Sequence, residues 1–228
     1  MTHAHATTAD MMRPPHPAEP GAGVYSNKLG MWVFLASDVM FFTALIGTYI
    51  ILRFSTDLPW AQPAAVLNVP LTAFNTFLLI CSSVSMVKAY AAIADGDQKG
   101  LRFWLLMTIL AGAAFVGVQV FEYMKLVGHG FVPSGYRPGS ELAELAAAEP
   151  LKYSLGTGGL YGSTFFSMTG FHGFHVTCGV ISMSYLYVRK VLPGKYSQQD
   201  YRGIEVIGLY WHFVDLVWII LFTIVYLI

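Results

Sequence analysis

The sequence predicts an all-α membrane protein with five transmembrane helices. Three observations predict it. Hydrophobic residues make up 55% of the chain and charged residues 11%, well under the charged share of an ordinary globular domain (about 25%). Five apolar windows reach the roughly 20 residues that a helix needs to cross a hydrocarbon core of about 30 Å. Those windows are also too long and continuous for the strands of a membrane barrel. The net charge of zero gives no reason to expect a nucleic-acid or acidic partner.

The first 27 residues read as a disordered cytoplasmic tail. Pro14, Pro15, Pro17 and Pro20 interrupt it, and it holds no apolar run. Its scattered His3, His5 and His16 read as solvated side chains rather than metal ligands. The first apolar run is too long for a signal-peptide core and no small-residue cleavage site follows it, so no signal peptide is expected. Residues 28–228 then form the membrane domain. Its spans run from about Leu29 to Leu52, Val69 to Ile93, Leu101 to Met124, Leu160 to Val188 and Ile204 to Ile228.

The connections are mostly short. Asp57, Pro59 and Pro63 break the chain after the first span. Asp95-Gly96-Asp97-Gln98-Lys99-Gly100 reads as a tight polar turn, which makes spans two and three an antiparallel hairpin. Residues 127–159 form the one long loop. Within it, Ser140 to Ala148 reads as a short surface helix capped by Ser140 and stopped before Pro150. Nine Lys and Arg residues fall on the side of the N-terminal tail: Arg13, Lys28, Lys88, Lys99, Arg102, Arg189, Lys190, Lys195 and Arg202. Arg53, Lys125, Arg137 and Lys152 fall on the other. The positive-inside rule therefore places the N-terminus in the cytoplasm and the C-terminus outside.

The candidate functional residues are the polar groups inside these spans. A carboxylate at that depth costs several kcal/mol unless it is neutral, paired or near water (about +2.5 to +3.5 on insertion scales). Asp38 and Asp215 lie near the middle of the first and fifth spans, with Ser37 as the local hydroxyl beside Asp38. Glu122 lies toward the outer end of the third span, and Glu205 near the inner end of the fifth. His172 and His175 share a face of the fourth helix, and His212 lies one turn from Asp215. For His172 and His175 two readings stand: hydrogen bonds between helices, aided by Gly170, Gly173 and Gly179, or ligation of a metal or heme. Asp215 with His212 fits either a packing network or proton transfer. Asp38 fits a structural role or a place near a proton path. Ala113 and Gly117, and Gly162, Gly170 and Gly173, read as small-residue faces for helix packing. Cys81 and Cys178 have no metal-ligand spacing.

Several stretches also resemble subunit III of the heme-copper cytochrome c oxidases. They are Leu35-Ala36-Ser37-Asp38-Val39-Met40-Phe41-Phe42, the hairpin Gly96-Asp97-Gln98-Lys99, Gln119-Val120-Phe121-Glu122-Tyr123, Tyr161-Gly162-Ser163-Thr164-Phe165-Phe166, Thr169-Gly170-Phe171-His172-Gly173-Phe174-His175-Val176, and Tyr210-Trp211-His212-Phe213-Val214-Asp215-Leu216-Val217-Trp218. They occur in the family's order and cover nearly all of the chain from Lys28 onward. The resemblance is to the five-helix bacterial type, which lacks the first two helices of the mitochondrial form.

The resemblance implies a subunit without heme or copper of its own, docked on the catalytic subunit I. Subunit II and a small subunit IV belong to the same complex, and the heme and copper sit in partner subunits. It implies structural phospholipids in a V-shaped cleft, support for proton uptake through the D pathway, and protection against inactivation during turnover. Asp38 falls where many members carry a carbodiimide-reactive glutamate, so the carboxylate is kept and shortened by a methylene. Arg189 falls near a family arginine that contacts lipid phosphate. The complex takes electrons from cytochrome c in this reading, with a quinol-oxidising complex as the alternative. The bacterial cytoplasmic membrane follows as the location. A heme b or quinol-binding anchor using His172, His175 and His212, and a proton-coupled transporter using Asp38 and Asp215, are the competing classes. The lack of an internal repeat argues against the transporter.

Overall fold

In the computed structural model, residues 26–55, 57, 60–153, 157–197 and 200–227 are described. The expected tail up to residue 25, Pro59 and Ile228 lie outside them. Helix α1 covers Ser26–Ser55. The short α2 (Pro63–Val66) opens on a proline, where the missing N–H has no helical partner to lose. Asn68 caps α3 (Val69–Ala94), its side chain accepting from the Leu71 N–H at 3.3 Å.

The turn to α4 (Gln98–Gly128) is tighter than predicted. Gly96 takes a φ of 81°, and Asp97 already caps the next helix by accepting from the Lys99 N–H at 3.0 Å. Gln98 to Gly100 are therefore helical rather than part of the turn. The long loop holds a hairpin that the sequence pattern did not reveal, β1 (Phe131–Val132) against β2 (Gly135–Tyr136). Its strands are too short to show an alternation. The predicted surface helix is present as α5 (Glu141–Ala148), with Ser140 accepting from the Ala143 N–H at 3.2 Å. Pro150 does more than stop it, because it begins α6 (Pro150–Tyr153).

Helix α7 (Gly158–Leu186) ends in a π-helical turn at Tyr187–Val191. Helix α8 (Arg202–Phe222) continues into a second such turn at Thr223–Leu227. Among the described residues, four helices are long and apolar enough to cross a membrane: α1, α3, α4, and α8 with its π-helical end. Helix α7 has the length, at 29 residues, and no Asp, Glu, Lys or Arg. Its glycines, hydroxyls and two histidines lower its hydropathy, so four helices meet both criteria where five were predicted.

Helices α3 and α4 pack along their whole length. The buried positions of α4 are Leu101, Leu105, Thr108, Gly112, Phe115, Gln119, Glu122 and Leu126. They recur alternately every four and three residues, the stripe that a helix buries against its neighbours. Ala113 and Gly117, predicted to face a neighbour, fall off this seam: both are exposed, and Gly117 has open space around it. Gly112 takes the packing role instead, against Trp211 and Val180. On α7, Gly162 sits against the Val132 carbonyl and Gly173 against Gln119, as small-residue contacts should. Helix α8 touches α1, α3 and α7. Helix α1 lies at the edge, packed on α7 and α8, with Trp32, Val33, Met40, Ile51 and Phe54 exposed.

Candidate functional site

The junction of α1, α7 and α8 joins two of the predicted residues. Asp38 is buried, and its Oδ2 lies 3.5 Å from Nε2 of His175. Ser37, which the sequence offered as its local hydroxyl support, does not assist it, because its hydroxyl is turned back to donate to the Phe34 carbonyl. A hydroxyl on a helix commonly closes on the carbonyl one turn earlier, and that bond wins here.

The hydrogen bond of His175 to its own helix fixes the tautomer of the neutral ring. Its Nδ1 lies 2.7 Å from the Phe171 carbonyl, which can only accept, so Nδ1 carries a hydrogen. Nε2 is then a bare lone pair if the ring is neutral. Facing an ionised carboxylate, that lone pair would add repulsion to the desolvation of Asp38. One further proton, on Asp38 or on Nε2, turns the contact attractive. Phe42 lies edge-on to the imidazole, with centroids 5.4 Å apart, and Tyr210 donates to the His175 carbonyl at 2.8 Å. These apolar and aromatic neighbours strengthen the electrostatics of the pair relative to water.

His172 shares a helix face with His175 but serves another purpose. It is fully buried, and its Nε2 donates to the Val214 carbonyl at 3.1 Å. The ring lies against Trp218 at 4.6 Å and Phe115 at 5.8 Å. It ties α7 to α8. His212 meets the Ser83 hydroxyl through Nδ1 at 2.7 Å, and Asp215 is buried beside the same Ser83 and His212. The three histidines thus face a carboxylate, a backbone carbonyl and a hydroxyl, and they do not converge on one point. Among the described residues no group of three His, Cys, Asp or Glu is arranged to hold a metal.

The other predicted groups lie apart. Glu122 is buried on α4 and accepts from Thr72 Oγ1 at 2.8 Å. Glu205 pairs with Lys28 at 2.5 Å, joining the starts of α8 and α1. Arg189 is exposed in the π-helical turn, with its guanidinium 5.9 Å from the Tyr185 ring.

The chain matches the family described as cytochrome c oxidase subunit III over residues 22–128 and 147–228. A protein of Thermostichus vulcanus named cytochrome c oxidase subunit 3 is 33% identical over 199 residues, 87% of this chain and 86% of that one. A probable cytochrome c oxidase subunit 3 of Mycobacterium tuberculosis is 36% identical over 202 residues, 88% and 87% of the two chains. The Synechocystis protein with the former name is 34% identical over 203 residues, 88% of this chain and 75% of its own length.

The chain belongs to the cytochrome c oxidase subunit III family. As a subunit III it is part of a heme-copper oxidase, a complex that reduces oxygen, and has no catalytic centre of its own. Asp38, Glu122, His172, His175, His212, Asp215 and Arg189 all lie in the matched segments. Residues 129–146, which carry the hairpin and most of α5, lie outside them.

Sequence reasoning missed several polar contacts that tie the helices around these groups together. Ser82 accepts from Trp211 Nε1 at 3.0 Å and Thr76 from Trp218 Nε1 at 2.9 Å. Gln119 donates to the Thr169 carbonyl at 2.8 Å. The available signal was the recurrence of Thr72, Asn75, Thr76 and Ser82 along one face of α3.

Proposed function

We propose that this chain is the non-redox third subunit of a bacterial aa3-type cytochrome c oxidase, supporting D-pathway proton uptake and the endurance of subunit I. The family match on both sides of residues 129–146 carries this reading. The contact of Asp38 with His175 gives it chemistry: a buried pair of that kind can hold a proton without burying a net charge. The relatives' names favour cytochrome c over quinol as the donor to the complex.

Residues 28–228 form the membrane domain in this reading, with α7 as the fifth span. Support comes from the ends of the bundle. Lys28 meets Glu205, Gln98 meets the Tyr196 carbonyl and Arg102 meets the Leu192 carbonyl at one end. The Gln62 N–H meets the Lys152 carbonyl at the other. Helix α7 runs between those ends. The basic end then lies in the cytoplasm with the N-terminal 27 residues, in the bacterial cytoplasmic membrane, and the C-terminus lies outside.

The apolar face of α1 is offered to subunit I and to structural phospholipids in a V-shaped cleft, and Arg189 to a lipid phosphate. Heme and copper belong to the partner subunits, and subunits II and IV complete the complex. The test is oxidase purified with and without this chain. Both forms should reduce oxygen at first, and the depleted form should lose activity within fewer turnovers. Equal endurance would refute the protective role.

A further inference from the structure

A cavity of about 300 Å³ opens at the end of the bundle where α4 finishes. It is lined by Glu122, Asn68, Leu71 and Leu126, and by Leu142 and Leu145 of α5. Glu122 is more than nine-tenths buried. Thr72 donates to its Oε1, while Oε2 has no hydrogen-bond partner among the described residues. Leu142 and Leu145 come from residues 129–146, which the family model leaves unmatched.

The rim adds further acceptors. Glu141 lines the cavity. His129 lines it too, and its Nδ1 hydrogen is committed to the Lys125 carbonyl at 2.7 Å, which leaves Nε2 as an acceptor in the neutral ring. The one cation in the lining is Lys125, and its amino group lies 4.6 Å over the Phe121 ring. Carboxylates therefore outnumber cations in a space whose other walls are mostly aliphatic, with Asn68 and Tyr153 among them. An anion would meet two carboxylates. A bare divalent ion would need a third close ligand, and no such group of three exists among the described residues.

We propose that this cavity binds a small organic ammonium ion with an apolar body, its N–H groups on Glu122 Oε2 and its hydrocarbon against Leu142 and Leu145. A charge-assisted bond at a largely buried carboxylate anchors the ligand, and the aliphatic walls cover the rest of it. The site is independent of the proton-uptake reading, because it shares no residue with the Asp38–His175 pair.

The test uses the intact oxidase complex in detergent and equilibrium dialysis with radiolabelled 2-phenylethylammonium, with n-propylbenzene as neutral competitor. The expected result is one saturable equivalent per copy of this chain, undisturbed by n-propylbenzene. Glu122→Gln should weaken it at least about tenfold, through the loss of one charge-assisted bond. Leu142→Trp, which fills the cavity and keeps the carboxylate, should also abolish it. His129→Ala, at the exposed rim, weakens it less and guards against misfolding of the buried variants. No saturable equivalent, equal displacement by the neutral compound, or binding unchanged in Glu122→Gln would each overturn the proposal. Failure here leaves the turnover test of the subunit untouched, and failure there leaves this one.

Discussion

Asp38 of α1 and His175 of α7 meet at 3.5 Å across the edge of the bundle, and the bond from His175 Nδ1 to the Phe171 carbonyl turns Nε2 toward the carboxylate. Each therefore depends on the other. Removing either leaves a polar group facing apolar neighbours, and removing both leaves none. Asp38→Ala and His175→Ala should each shorten the turnover lifetime of the complex, and the double variant should be no worse than the poorer single. A double-mutant cycle on the midpoint of subunit dissociation should give a coupling of about 1–3 kcal/mol. Strict additivity would mean that the two side chains do not act as a unit.

Gly112 sits where an added Cβ would run into the Trp211 ring and Val180. Neither can retreat easily, since Trp211 is fully buried and donates to Ser82. Gly112→Ala should destabilise the subunit by about 1–3 kcal/mol, the usual cost of overpacking a filled core. Gly117→Ala, one face away with open space around it, should be neutral or slightly stabilising because alanine favours the helix. Thermal melts of the two variants in one detergent decide the point.

These two glycines show what was and was not legible in the sequence. Spans were readable because hydrocarbon thickness sets a length. The inward face of each span was not, because a helix in lipid is apolar on all sides and its buried seam is often the more polar one. Thr108, Gly112, Gln119 and Glu122 mark that seam on α4, yet Ala113 and Gly117 fit the small-residue pattern equally well. The same ambiguity set α7 apart, since its glycines and histidines serve contacts inside the bundle at the expense of hydropathy. Asp38 and His175 were both identified as buried polar groups, but their pairing depends on how α1 leans on α7. Distance in sequence hides that. The hairpin Phe131–Tyr136 was invisible because two-residue strands carry no period.

Trp218 holds α8 to α3 through its bond to Thr76, and its ring packs against both His172 and Phe115. Trp218→Phe should keep much of the ring packing and lose the bond, leaving Thr76 to its own helix carbonyl. The expected cost is about 1–2 kcal/mol, a hydrogen bond plus a small cavity. Thr76→Val should cost more, because it strands the buried indole N–H. Urea midpoints of the purified subunit would order the two, and the reverse order would show that the ring's neighbours, not its N–H, set the stability.

Tyr136 closes the hairpin against α6 by donating to the Tyr153 carbonyl. Burial, with Tyr153 adding to it, pushes its phenol up to about 12, against an ordinary value near 10. The neutral phenol is thus favoured in the folded chain. Its contribution to stability is complete below about pH 10, falls as the unfolded chain ionises above that, and is gone once the pH passes the folded value. Burial, with Asp200 adding to it, pushes Tyr196 to about 12 as well, so tyrosinate absorbance should show a late-titrating group of tyrosines. Tyr136→Phe should remove one tyrosine from that late group, cost about 0.5–1.5 kcal/mol at neutral pH, and flatten the loss of stability between about pH 10 and 12. A late group unchanged in number would place the Tyr136 hydroxyl in water and undo the docking of the hairpin on α6.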